Sequence, residues 1–581
     1  MRKTFSNLQK RDYLFIVICA ALVVLQVWLE LTMPDYTQKL TELVSSGTAD
    51  MDAVLQNGGM MLLCAAASMG AAILCGFFAS KVAANFARTL RSKLFQRITN
   101  FGDVEINKFT TPSLITRTTN DVVQMQMLIA MGLQVIIKAP VMAIWAILKI
   151  SATDVRWTQA TVATVVIMVA VIGVLVGLCY PRFKKIQKLT DNLNNATREN
   201  VSGVRVVRAF NADKYQEDKF EKVNKDVMKN NLFTARLMGF MMPVIQLCMS
   251  GLTLAIYWIG AYVVDEAPLA GKAEALGNMT AFTQYALMVV MGFMMLIVIF
   301  VILPRTIVSA KRIAEVLNTK SSIEYKEKPV KAEAKGELEF QNVCFGYGDA
   351  QHDCIHDISF QLHKGETFAI IGATGSGKSS IVNLIPRYYD VTGGKILLDG
   401  VDIREYPEEE LCSKISIAPQ KAIMFMGDIR SNVVYGSEGK ADEAERLERA
   451  LEIANADFVK DLEEGVSSRV AQGGTNFSGG QKQRLSIARA VYKDAELVIF
   501  DDTFSALDYK TDMLVRRKIK ENLKDTTVII VAQRIGTIKN ADKILVLDEG
   551  RVAGMGTHKE LLETCEVYKE IALSQLSKEE L

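Results

Sequence analysis

The sequence predicts an α-helical membrane domain of six spans, followed by a soluble α/β domain built around a phosphate-binding loop. Three observations carry that prediction. Half of the 581 residues are hydrophobic, and the long apolar runs all fall before about residue 305. From about residue 336 the chain reads as a soluble α/β domain, and a glycine-rich loop there joins a buried strand to a helix. Between the two halves lies Tyr325–Gly336, YKEKPVKAEAKG, which is polar, charged and proline-containing and reads as a linker.

The chain is too long for one core, and a mean hydropathy of +0.17 is too apolar for an ordinary soluble protein. A net charge of +2 gives no bulk reason to expect nucleic acid or an acidic partner. The nine cysteines form no CxxC pair and no close cluster, and five of them lie in or beside apolar stretches, which fits buried reduced thiols better than disulfides or a metal site. About twenty apolar residues span a bilayer as a helix. Six stretches qualify: Tyr13–Leu31, Gly59–Phe78, Met127–Ile147, Thr158–Cys179, Met241–Val263 and Met279–Leu303.

Charge orients these spans. The N-terminus (MRKTFSNLQKRD) and the 81–118 and 182–236 connections are rich in Lys and Arg, whereas the loops near 45–57 and 265–277 carry almost none. The positive-inside rule puts both termini and the two large connections in the cytoplasm, with the protein in the cell membrane. Both connections are helical in pattern and polar, as membrane helices extending beyond the bilayer would be. Each contains one stretch that reads as a turn between such extensions, Thr111–Asp121 and Ala209–Lys219. Glu30 and Lys138 sit in or near spans, where charge faces a cavity, a partner or the interface. The last two spans are methionine-rich, which suits adaptable apolar binding and plain packing alike.

In the soluble half, Thr367–Ile371 reads as a buried strand running into Gly372-Ala-Thr374-Gly375-Ser376-Gly377-Lys378-Ser379-Ser380. This is a P-loop in its required strand–loop–helix context. The glycines let backbone N–H groups turn toward phosphates, Lys378 reaches the β/γ-phosphates, and Ser379 offers a hydroxyl to Mg²⁺. A second apolar strand, Glu496–Phe500, ends in Asp501, the acidic residue that pairs with a P-loop and holds Mg²⁺ through water. Between them, Ser478-Gly479-Gly480-Gln481 opens another helix, a second phosphate-facing N-terminus. Two chains facing head-to-tail would use both helix ends.

P-loop, FSGGQ signature and strand-end aspartate, in this order and spacing, resemble the ATP-binding-cassette (ABC) family, over essentially the whole chain. Six spans ahead of one cassette are similar to the type IV exporter half-transporters. The resemblance implies a membrane domain over 1–320, with an N-terminal elbow and coupling helices near 111–121 and 209–219. It implies a linker over 321–336 and a nucleotide-binding domain over 337–581. It also implies that Tyr347 stacks on adenine, that Gln420 is the Q-loop glutamine near Mg²⁺, and that Asp508 belongs to the D-loop. Each ATP would then lie between one chain's P-loop and the other chain's Ser478–Gln481 segment.

Two positions depart from the family. Glutamate normally follows the strand-end aspartate and polarises the attacking water; here it is Asp502, one methylene shorter. The family carries histidine where Gln533 stands, after the strand Thr527–Val531, and glutamine cannot carry positive charge. With P-loop and signature intact, this is the pattern of a degenerate-site subunit in a heterodimeric bacterial multidrug exporter. Its partner would be a second half-transporter with the glutamate and histidine, its ligands ATP and Mg²⁺, its surroundings membrane lipid, and its cargo a lipophilic or amphipathic small molecule. A homodimeric exporter with weak ATPase, a lipid or peptide cargo, and an ATP-gated regulatory or channel subunit remain open at this point. Six spans argue against a soluble ATPase acting on nucleic acid.

Overall fold

The computed structural model describes residues 10–46, 51–151, 155–268, 271–326, 328, 335–348, 353–439 and 442–576. The chain divides into two compact units. One comprises residues 1–98 and 112–318; the other comprises 99–111 and 319–581.

The first unit is entirely helical among the described residues. Its helices are α1 (Lys10–Ser45), α2 (Met51–Thr99), α4 (Thr111–Thr118), α5 (Asn120–Ser151), α6 (Val155–Ser202), α7 (Val204–Ala209), α8 (Asp213–Gly239), α9 (Met241–Glu266) and α10 (Lys272–Asn318), while α3 (Asp103–Phe109) groups with the second unit. Five of the six stretches read as spans lie on helices long and apolar enough to cross a membrane. The sixth, Met279–Leu303, lies on α10, and several of its side chains beyond residue 295 fall outside the described residues. The 49 residues of α2 measure about 74 Å at 1.5 Å each, more than twice a hydrocarbon core of about 30 Å. That length is why its apolar half ends near Phe78 and a basic, polar half follows.

The packed face of this unit gathers Val27 and Leu31 of α1, Met142 and Ala146 of α5, Trp157 and Met168 of α6, and Phe282 and Val289 of α10. Trp157 buries its ring against Phe282, with centroids 5.1 Å apart, and donates from Nε1 to the Ile256 carbonyl at 3.2 Å. Glu30 and Lys138, which read as charges in or near spans, pair with each other: Lys138 Nζ lies 2.8 Å from Glu30 Oε1, which also accepts from Gln26 Nε2 at 2.9 Å. Five residues further along α1, Asp35 lies 2.7 Å from Lys149 Nζ, and the Tyr285 hydroxyl donates to the same carboxylate. Each charge in this layer therefore has a counter-charge on a neighbouring helix, the arrangement that makes intramembrane charge tolerable.

The stretch Thr111–Asp121, read as a turn, is largely helical here. The chain turns earlier, where Thr110 takes a φ of 62° and ends α3. Thr111-Pro112 then starts α4, because proline's fixed φ and missing N–H suit a first helical turn. On the second connection the break falls at Phe210–Ala212, between α7 and α8, within the stretch Ala209–Lys219.

The second unit holds two main sheets, beside a two-stranded pairing of β7 (Gly427–Asp428) with β8 (Arg469–Val470). One is antiparallel, with order β2–β1–β4–β5: β1 is Leu338–Phe345, β2 Ile355–Leu362, β4 Gly393–Leu398 and β5 Val401–Asp402. The other has order β12–β11–β3–β10–β9–β6: β3 is Thr367–Gly372, β6 Ile415–Ala418, β9 Leu497–Asp501, β10 Thr527–Val531, β11 Lys543–Asp548 and β12 Arg551–Gly556. Within the latter, β11, β3, β10, β9 and β6 are parallel and β12 closes the edge antiparallel. The strands TFAIIG, LVIFD and TVIIV are buried nearly throughout, as parallel strands covered on both faces must be. The segment carrying α3 joins this unit through Glu105: its Oε1 accepts from Ser322 N at 3.1 Å, and its Oε2 accepts from Gly102 N at 3.0 Å.

Replacing Lys138 alone with methionine should strand the Glu30 carboxylate and cost on the order of 3 kcal/mol. The double variant Glu30→Gln/Lys138→Met should recover most of that loss. Thermal midpoints of the detergent-purified chain measure both, and equal loss in single and double variants would refute the coupling.

Candidate nucleotide site

The site grows from strand register. Val531 of β10 pairs with Ile370 of β3 on one side and with Asp501 of β9 on the other, so three neighbouring parallel strands end within two residues of one level. The loops that leave those ends carry the P-loop, Asp501-Asp502 and Gln533. Crevices at the carboxyl ends of parallel strands are where such sheets bind ligands.

The loop after β3 turns through Gly375 and Gly377, at φ 86° and 98°, in the region that favours glycine. A Cβ on Gly377 would also press 2.5 Å from Ile355 Cδ1. α11 (Lys378–Leu384) follows at once. Lys378 Nζ donates to the carbonyls of Gly372 at 2.8 Å and Ala373 at 2.7 Å, so the ammonium sits inside the curl of the loop. Partial burial pulls its pKa below the usual lysine value, against the opposing pull of Asp502 and Asp501. Thr374, Gly375 and Ser379 are exposed along the loop, whereas Ser376 and Ser380 are buried. The Ser380 hydroxyl shares a 3.1 Å hydrogen bond with the Tyr347 hydroxyl. Tyr347 meets Tyr389 edge-on, with centroids 5.2 Å apart, and leaves part of its ring exposed.

Asp501 closes β9. Burial, with Asp502 beside it, raises its carboxyl pKa to about 6. A mostly buried carboxylate at a strand end is the kind of hard oxygen ligand that suits a divalent cation. Asp502 follows at φ 44°, a left-handed conformation that aspartate tolerates better than most residues. Its Oδ2 accepts from Gln533 Nε2 at 3.1 Å and from Gln420 Nε2 at 3.3 Å. The structure thus brings together three residues that lie 82 and 31 positions apart in sequence. The described histidines lie elsewhere: His363 faces Glu337, His558 bonds the Tyr568 hydroxyl at 2.7 Å, and His356 sits on β2, its backbone N–H donating to the Gly550 carbonyl. His352 lies outside the described residues.

Two glutamines that the sequence did not single out brace these loops. Gln575 Nε2 donates to the Gln533 carbonyl at 2.8 Å and its Oε1 accepts from Ile535 N at 2.8 Å, so the C-terminal helix Glu566–Gln575 pins the loop after β10. Buried Gln483 donates to the Gln420 carbonyl at 2.7 Å. It belongs to the helix Gly479–Tyr492, which Ser478 caps: Ser478 Oγ accepts from Gln481 N at 3.3 Å and Gln481 Oε1 accepts from Ser478 N at 2.8 Å. This reciprocal cap leaves Ser478 and Gly479 exposed at the helix start. Asp508 caps the next helix, Tyr509–Asn522, by accepting from Thr511 N at 3.0 Å, and those hydrogen bonds hold its carboxyl below the usual range.

The raised pKa of Asp501 fixes a sign. A carboxyl with a folded pKa above its unfolded one costs nothing at pH below about 4. Its penalty grows as pH rises through about 6 and is constant beyond. Asp501→Asn should therefore stabilise the chain, in EDTA and without nucleotide, by up to about 3 kcal/mol at pH 8 and by almost nothing at pH 4. Thermal melts across that range measure it, and a gain independent of pH would contradict the assignment.

Comparison with known proteins agrees with this architecture. Residues 15–277 match the family model of the ABC transporter transmembrane region, and residues 355–505 match the ABC transporter family model. An uncharacterised ABC transporter ATP-binding protein of Mycobacterium tuberculosis is 36% identical over 542 residues, 92% of either chain. A protein of Bacillus subtilis, provisionally named a multidrug export ATP-binding/permease protein, is 31% identical over 498 residues, 85% of this chain and 84% of its own. The solved structure of a bacterial Atm1-family ABC exporter with ATP bound superposes with a TM-score of 0.81 at 22% identity, covering 98% of this chain and 100% of that one, which speaks to fold. A helical membrane unit and a P-loop α/β unit in one polypeptide, with relatives of this identity along nine-tenths of its length, place the chain in the ABC transporter family, with membrane and ATP-binding parts on one chain.

Proposed function

We propose that this chain is the degenerate-site subunit of a heterodimeric exporter, holding MgATP at its own P-loop and lending Ser478–Gln481 to the partner's competent site. One observation carries the reading: Asp502 stands at the base position with its Oδ2 held by Gln533 and Gln420. A general base must reach a water beside the γ-phosphate, and a ~1 Å misplacement costs on the order of 10²-fold. Here the shorter carboxylate is tied by two neutral amides, and the switch position cannot become cationic.

In this reading Tyr347 stacks on adenine, and the backbone from Gly372 to Ser380 cradles the phosphates with Lys378. Ser379, Gln420 and Asp501 would hold Mg²⁺, which when bound offsets phosphate charge. Asp508 would work at the D-loop between cassettes. The partner supplies glutamate and histidine, and its own signature is altered. ATP binding closes the cassettes, hydrolysis at the partner's P-loop reopens them, and the cytoplasmic ends of the membrane helices carry the motion. The Lys/Arg-rich N-terminus and long connections support cytoplasmic termini in the bacterial plasma membrane. The apolar, methionine-rich spans and the name given to the Bacillus relative support a lipophilic or amphipathic small-molecule cargo.

Purified without a partner, the chain should bind ATP but turn it over slowly. Asp502→Glu/Gln533→His should raise turnover by about tenfold or more once that variant is paired with the second chain. Brisk ATPase from the unmodified chain alone, lost on Asp502→Asn, would sink the reading. So would purification of a stable homodimer in which all ATP turns over at equal rates.

A further inference from the structure

Where α1 and α2 leave the apolar spans, they enclose a cavity of about 580 Å³ whose chemistry the nucleotide cycle does not use. Its α2 wall carries Lys81, Arg88, Thr89, Ser92 and Lys93, and its α1 wall carries Arg11. On α2 these residues recur at helical spacing from Lys81, so one face presents cations and hydroxyls together. None of the nine lining residues among those described is acidic. Asp12, next to Arg11 in sequence, is buried and does not line the cavity. Among the described residues, no carboxylate pairs with Arg11, Lys81 or Arg88. The Lys81 ammonium instead lies 5.3 Å from the Phe15 ring centroid and 5.9 Å from that of Phe77.

The setting selects the ligand. Immediately toward the span, Ile73, Leu74 and Phe77 on α2 and Leu14 and Val17 on α1 are exposed, an apolar wall continuous with the cationic pocket. A soluble anion has no use for that wall; a molecule with an anionic head and acyl chains uses both. A lysine at the end of an apolar run, beside phenylalanine rings, carries its ammonium to the level where headgroups meet hydrocarbon.

We infer that this cavity binds the headgroup of an anionic phospholipid, its phosphate among Arg11, Lys81 and Arg88 and its acyl chains along Phe77 and Leu74. The leaflet rests on the cytoplasmic assignment of the N-terminus; the site itself does not depend on the degenerate-site reading. Generic attraction of basic residues to a membrane surface would not distinguish residues inside the cavity from those beside it. That difference is the basis of the test.

The full chain, with any co-purifying partner, is reconstituted in nanodiscs of phosphatidylcholine alone or mixed with phosphatidylglycerol. After transfer to detergent, native mass spectrometry counts the retained lipid. Retention of phosphatidylglycerol over phosphatidylcholine is expected for the unmodified chain. Lys81→Gln/Arg88→Gln should weaken it by roughly 25-fold, about fivefold per basic residue. Lys81→Arg/Arg88→Lys should keep it, which separates lost binding from lost folding. Arg91→Gln, exposed on the same helix but outside the cavity, should also keep it. Equal retention of both lipids by the unmodified chain, or equal loss in the Arg91 variant, would overturn the site. Inorganic phosphate raising the thermal midpoint as much as phosphatidylglycerol does would overturn the lipid in favour of a free anion. ATPase does not enter the readout, so these outcomes are independent of how the nucleotide site performs.

Discussion

Three parallel strands of the second unit, β3, β10 and β9, stop within two residues of the same level, and the nucleotide site depends on that alignment. Hydrogen bonding along Ile370, Val531 and Asp501 sets the heights of three loops that are far apart in sequence. Once the heights agree, a lysine from the first loop, two aspartates from the second and a glutamine from the third share a few ångströms of space. Burial does the rest. It raises Asp501 toward neutrality and lowers Lys378, so each group is poised for a charge that only a ligand brings. The braces from Gln575 and Gln483 hold the outer loops without adding charge to the site.

The membrane unit solves a different problem with the same economy. Its long helices must carry ionisable residues through apolar surroundings, and they do so in pairs on neighbouring helices: Glu30 with Lys138, and Asp35 with Lys149. These pairs tie α1 to α5. Tyr285 extends the second pair to α10, so three helices share one polar layer inside an otherwise apolar packing. Beyond the hydrocarbon the logic reverses. On the continuation of α2, Lys81 and Arg88 have no paired carboxylate among the described residues, and there the charge is available for binding.

Much of this was legible in the sequence because it depends on local order. Apolar runs of about twenty residues announce membrane helices, and a strand, glycine-rich loop and helix in succession announce a P-loop. The substitutions at Asp502 and Gln533 were equally visible, since each follows an apolar strand directly. That Gln420 and Gln533 would converge on a single oxygen of Asp502 was not visible, because it follows from sheet order and register. Nor did anything in the spacing mark Gln575 or Gln483, whose roles arise from helices packing back on loops. Thr111–Asp121 read as a turn between helical extensions that could carry a short helix, and Pro112 starts a helix there. Glu30 and Lys138 each read as an isolated cost until the fold supplied each with the other.

The short segment 99–111 has a consequence for how the molecule is made. It lies early in the chain yet belongs to the second unit, where Glu105 holds the backbone of Ser322 and Phe101 stacks on Phe109. Roughly 200 residues of membrane helix separate it from the rest of that unit. At about 5–20 residues per second, a ribosome takes some 10–40 s to cover that distance. Throughout that interval α3 has been synthesised and its docking surface has not. Assembly of the second unit must therefore run against the order of synthesis, with a finished outlying piece waiting for its body, and a pause or truncation anywhere in between leaves two aromatic rings and a carboxylate without the surface that buries them.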